Sequence, residues 1–178
     1  QSASERVEAA VAAEKTVLST VKHFPGHGSA PGDSHVGIPV SPLFFDQWLA
    51  TDAVPFIKAI GADVPVVMFG HLSFPAVDSQ PSSLSPTWHN ILRNDLGFEG
   101  IIITDDMTML ENSGNPDYAD PGTNAVLALG AGADVLLYVP SVTFNPDTVV
   151  QAVLTAINQG VLSEAAIRES VTRVATER

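Results

Sequence analysis

Four of the five histidines in the 178 residues fall in Gly- and Pro-containing stretches that follow apolar runs. Lys22, His23 and His27 share one such stretch, with Asp33 and His35 farther along it. Gly70-His71 follows a second apolar run, and Asp105-Asp106 a third. An aspartate two residues before a histidine can accept a hydrogen bond from one ring nitrogen and leave the other free to exchange a proton near neutral pH. Asp33 and His35 have that spacing. A carboxylate such as Asp105, at a strand end facing the same mouth, can then serve as a nucleophile or electrostatic stabiliser. Each feature also has a plainer use. An aspartate after a strand caps the next helix, Asp33-Ser34-His35 makes an Asx turn, and Gly26-His27-Gly28 makes a tight turn. A metal site built from His23, His27, His71 and the aspartates is a rival use of the same atoms. Pro25 and Gly26 interrupt the helix that would make the His23/His27 spacing a metal motif, which ranks this reading lower. The plain uses do not account for the joint placement.

The elements that must position these residues follow from pattern. Residues 2–14 read as an Ala-rich helix, and residues 16–21 as a partly β-branched strand. Residues 42–60 read as a helix and 64–69 as a short apolar strand, followed by a long loop to Leu84. Ser85-Pro86 opens a helix that Gly97 closes. Residues 100–104 and 133–139 read as strands, and 122–129, 146–158 and 163–176 as helices. Four apolar strands separated by helices predict an α/β fold with a parallel sheet. Such a sheet gathers its carboxyl-end loops at one mouth. Half of an eight-stranded barrel and a small doubly wound sheet give the same alternation.

Composition narrows the partners. Eight basic against twenty acidic residues leave a formal charge of −12, which disfavours nucleic acid and anionic membrane. No apolar run reaches the roughly 20 residues that span a bilayer, and the first residues do not read as a signal peptide. The chain has no cysteine. Disulfides, thiolate metal sites and cysteine nucleophiles are excluded, and either side of the redox divide suits such a chain.

The combination Lys22-His23-Phe24-Pro25-Gly26-His27-Gly28 with Asp33-Ser34-His35 resembles the β-N-acetylglucosaminidases of glycoside hydrolase family 3. The likeness continues at Val67-Met68-Phe69-Gly70-His71, at residues 92–100, at Thr104-Asp105-Asp106-Met107-Thr108-Met109 and at residues 128–134. The resemblance implies a TIM-type (β/α)8 barrel, of which residues 1–178 hold the second half, about four βα units. It implies Asp105 as nucleophile, His35 paired with Asp33 as acid/base, and Lys22, His23 and His71 as sugar-binding residues. Asp106 would be a capping or supporting neighbour. The implied reaction is retaining hydrolysis of terminal β-linked N-acetylglucosamine from peptidoglycan- or chitin-derived oligosaccharides, with no cofactor and no metal. A sugar-binding half-barrel without turnover and a family 3 β-glucosidase are the alternatives. Half of a barrel leaves open strand edges, so self-association or pairing with the missing half is also expected.

Overall fold

The computed structural model describes residues 17–32, 34, 36–139 and 144–176. The expected helix over residues 2–14, and both Asp33 and His35, lie outside the described residues. In chain order, β1 (Thr20–Phe24) is followed by α1 (Phe45–Ala50), α2 (Val54–Ile60) and β2 (Val66–Phe69). A small hairpin of β3 (Ser73–Phe74) and β4 (Asp78–Pro81) comes next, then α3 (Pro86–Asn90), β5 (Ile101–Asp106) and the short α4 (Thr108–Glu111). The chain continues through α5 (Pro121–Ala131), β6 (Val135–Leu137), α6 (Pro146–Asn158) and α7 (Glu164–Thr176). Strands β1, β2, β5 and β6 lie side by side in that order, every pair parallel. Parallel neighbours need a crossover, and helices occupy each one, as the alternation of sequence patterns predicts.

Successive strand residues point to opposite faces. Val67, Phe69, Ile102 and Thr104 are buried with the helices; on the other face Val66 and Ile101 are buried as well, while Met68, Ile103, Val135 and Leu137, towards the carboxyl ends and in β6, are only partly buried. The helix-side core is aromatic. Phe24 packs edge-on against Trp48, Phe56, Phe69 and Trp88, with centroids 4.8 to 6.0 Å apart. Trp48, from α1, donates its indole N–H to the Pro25 carbonyl at 2.8 Å, which ties that helix to the turn after β1. At the amino ends of the strands, the side chain of Asp134 is fully buried. Its carboxylate accepts from the Ile102 amide (2.8 Å), Arg93 (2.6 Å), Ser170 (2.7 Å) and Arg173. That clasp joins α7 to the sheet.

Several boundaries differ from the expectations. Lys22 and His23, expected to follow the first strand, lie inside it, because pairing with β2 continues to Phe24 opposite Phe69. The register shifts between Val21 and Phe24, and the Lys22–His23 and Phe24–Pro25 peptides are cis. Residues 42–60 form two helices. Pro55 has no N–H to give and its ring obstructs the carbonyl four residues back, so the chain breaks at residues 51–53. The β3–β4 hairpin occupies part of the expected loop and buries Phe74. The helix opened at Ser85 is capped by its side chain (Trp88 N–H, 3.1 Å) and widens into a π-type turn over Ile91–Asp95 before Gly97. Asp105 and Asp106 are the last residues of β5 itself.

His89 on α3 stacks on Phe69, with centroids 4.1 Å apart, and donates from Nδ1 to the Ser85 carbonyl at 2.9 Å. Burial pushes its pKa from 6.5 down to about 4, with Arg93 adding to the fall. Between those values the unfolded chain binds the more protons, so stability present above pH 6.5 is lost as pH falls towards 4. The urea midpoint is expected to drop over that window, and to drop less steeply in His89→Gln. An unchanged slope in the variant would locate the pH dependence elsewhere.

Candidate active site

The register brings the chemically active residues to one rim. Phe24 pairs with Phe69, Phe69 with Thr104, and Asp106 with Leu137. The end of β1, the residues after β2, the end of β5 and the residues after β6 therefore stand level at the carboxyl edge of the sheet. This is the edge where parallel α/β folds hold their sites.

Asp105 is oriented from both oxygens. Its Oδ1 accepts from the Asp106 amide at 2.9 Å, and its Oδ2 lies 3.3 Å from Nε2 of His23. Both side chains keep some solvent contact, 20% for Asp105 and 27% for His23, so the pair is open to a ligand. Lys22 is exposed beside them. Lys22, His23, Gly26, His27 and Gly28 border a cleft of about 420 Å³ whose other wall is Thr51, Asp52 and Phe56, and Asp105 lies outside its lining. His27 packs edge-on against His23 at 6.0 Å and its Nε2 lies 3.3 Å from the Ser34 hydroxyl.

Asp106 works differently from its neighbour. Its carboxylate accepts from the Thr108 amide (3.1 Å), the Thr108 hydroxyl (2.6 Å) and the Val139 amide (3.0 Å). It thus engages the first residue of α4 and binds the end of β6 to the end of β5. His71, expected among the sugar contacts, is 1% exposed with both ring nitrogens engaged by protein. Its Nε2 donates to the Asp106 carbonyl at 3.0 Å, so its Nδ1 is the acceptor for the Ser83 hydroxyl at 2.6 Å. Ser83 had no signal in the sequence beyond its place in the loop between His71 and Leu84. Burial lowers the pKa of His71, against opposing pulls from the Asp106 carbonyl and the charges of Asp105 and Asp106. Negative charge collects around this rim. Burial first, then Asp106 and Asp120, raises the Glu111 carboxyl, and burial with Glu111 raises the Tyr138 hydroxyl. Among the described residues no three His, Asp or Glu side chains come together to hold a metal ion. No described helix is long and apolar enough to cross a membrane.

A parallel βα sheet with carboxylates and imidazoles on its carboxyl rim defines an α/β domain built as part of a (β/α)8 barrel. The comparisons agree and narrow it: the chain belongs to glycosyl hydrolase family 3, its residues 2–177 matching the family's N terminal domain. It is similar to the beta-hexosaminidase of Methylobacillus flagellatus, 41% identical over 117 residues, which cover 65% of this chain and 33% of the relative. Among solved structures, a fungal multi-domain GH3 beta-N-acetylglucosaminidase superposes with a TM-score of 0.85 at 30% identity, covering 98% of this chain and 21% of that one. The glycoside hydrolase family 3 beta-N-acetylglucosaminidase of Paenibacillus sp. FPU-7 gives 0.82 at 36% identity, covering 90% and 30%. The chain spans about a third of the length of the curated relatives it matches.

His71 is expected to titrate below 6.5 and to hold its single proton on Nε2. Nitrogen-15 NMR of the imidazole rings across pH 4 to 8 reads both properties; a ring that charges near 6.5 would show that it is not enclosed as described.

Proposed function

We propose that this chain carries the nucleophile and the acid/base pair of a retaining β-N-acetylhexosaminidase, within the second half of the catalytic barrel. The substrates would be peptidoglycan- or chitin-derived oligosaccharides ending in β-linked N-acetylglucosamine. The observation that carries the reading is the contact of His23 with Asp105 on the rim, beside Lys22. A carboxylate with one oxygen fixed by its own backbone and the other turned to an imidazole is held ready for one face of a sugar. The names of the relatives, a beta-hexosaminidase and two beta-N-acetylglucosaminidases, support the substrate class.

In this reading an Asp105 oxygen attacks the anomeric carbon as the bond to the leaving oxygen breaks. His35, held by Asp33, gives its proton to that oxygen, and a covalent glycosyl-enzyme forms. His35 then takes a proton from water, which attacks the same carbon, and Asp105 departs as a carboxylate. Lys22 and His23 hydrogen-bond the sugar hydroxyls. His71 acts one step back, fixing the Asp106 peptide and hence the aim of Asp105. An imidazole acid avoids the repulsion that a second carboxylate would bring to a rim already rich in negative charge. The reading also requires a cover for the partly buried sheet face of Met68, Ile103, Val135 and Leu137, either the remaining barrel strands or a second copy of the chain.

Two experiments test the roles. Asp105→Asn is expected to abolish turnover of a chromogenic N-acetylglucosaminide while leaving the thermal midpoint close to native. A 2-fluoro sugar should label Asp105, and label on Asp106 would reverse the assignment. His35→Ala is expected to slow substrates with poor leaving groups by about 10²–10⁴-fold more than activated aryl glycosides, since only the former need protonation. Equal losses for both kinds of substrate would make His35 a structural residue.

A further inference from the structure

We propose that Asp52 is a positioning residue that holds the neck of the segment bearing Asp33 and His35, acting through Ser29 and Ser41. The inference rests on the reading of His35 as acid/base. Asp52 lies where the chain breaks between α1 and α2, with its carboxylate turned to the turn after β1. Its Oδ2 accepts from the Ser29 hydroxyl at 2.5 Å. The Ser29 oxygen is also 2.7 Å from that of Ser41, which is wholly buried. An ionised carboxylate can only accept, so Ser29 gives it its one proton, and Ser41 must then donate to Ser29. The carboxylate thereby orients both hydroxyls.

The contact is more than one hydrogen bond. A Cβ built at Gly26 would stand 2.7 Å from Cβ and 3.1 Å from Oδ2 of Asp52, and one at Gly28 would stand 3.8 Å from Oδ1. The turn thus wraps around this one side chain, and Gly26 (φ +137°) could not carry a side chain there without displacing it. The other side of the neck is anchored as well, since the Ser41 amide donates to the Ser73 carbonyl at 2.8 Å. Ser29 and Ser41 are clasped together, and Asp33 and His35 fall between those two residues in the sequence. Clasping the ends of a loop removes much of its conformational freedom. It narrows the volume that an acid/base residue between them can sample.

The test compares Asp52→Ala, Asp52→Asn and Ser29→Ala in the full chain, on a chitobiose-type disaccharide and on an activated aryl N-acetylglucosaminide. Misplacing a catalytic group is costly only where that group is needed, so Asp52→Ala and Ser29→Ala should lower kcat/KM on the disaccharide at least about tenfold and change the aryl glycoside less than about twofold. Asp52→Asn, which keeps an acceptor for Ser29, should recover most of the loss. In a His35→Ala background Asp52→Ala should add nothing, because residues acting as one unit are not additive. Equal losses on both substrates, or additive losses in the double variant, would overturn the role of Asp52. Ser29→Ala keeps the test in force if Asp52→Ala does not fold. Should His35→Ala itself lack the leaving-group signature, or the native chain turn over neither substrate, the acid/base reading fails and this inference falls with it. If His35→Ala shows the signature and neither Asp52→Ala nor Ser29→Ala does, only the clasp is overturned.

Discussion

The ring of Phe24 is the contact on which the rim depends. It closes β1 from below, edge-on to Trp48, Phe56, Phe69 and Trp88, and so draws α1, α2, β2 and α3 onto one apolar centre. Lys22 and His23 are the two residues just before it, and Pro25, just after it, is held by the Trp48 indole. The strand can neither slide nor turn over without taking a wholly buried ring out of that centre. Full burial of a phenylalanine is worth about 1.5–3 kcal/mol from transfer alone. A polar end to a strand is thus held in place by its apolar neighbours, and His23 reaches Asp105 because Phe24 has nowhere else to go.

The other half of the rim is organised by polar groups that spend their hydrogen bonds on protein. His71 is enclosed in neutral form between the Ser83 hydroxyl and the Asp106 carbonyl, and Asp106 in turn ties β5 to the residues after β6. A buried imidazole with both nitrogens satisfied is rigid in a way that an exposed one is not. The two aspartates side by side therefore divide the work. Asp105 stays partly open to solvent, while Asp106 spends its oxygens on Thr108 and Val139.

Much of this was legible in sequence. The apolar runs at residues 64–69 and 133–139 each contain an observed strand, the run at 100–104 covers the first four residues of β5, and Pro146–Asn158 and Glu164–Thr176 fall where pattern and caps put them. What escaped depends on distant contacts. The burial of His71 requires Ser83, 12 residues on, and Asp106, 35 residues on. The approach of Ser29 to Asp52 spans 23 residues. The β3–β4 hairpin is too short for an alternating pattern to show. The break between α1 and α2 did have a local sign in Pro55, but a run of apolar residues at helical spacing outweighed it. Lys22 and His23 read as loop because polarity marks the end of an apolar run, and not the end of a strand.

The Asp134 clasp lies at the amino ends of the strands, the edge opposite the site, and it gathers Arg93, Ser170 and Arg173 onto one carboxylate. Conserving cohesion at one edge and reactivity at the other separates two design problems that a smaller protein must solve with the same residues. The connections on the site's edge can be exchanged, lengthened or rebuilt for a different sugar while the opposite edge serves as an unaltered chassis. Domains of this architecture can in this way diversify their substrates without renegotiating how they fold.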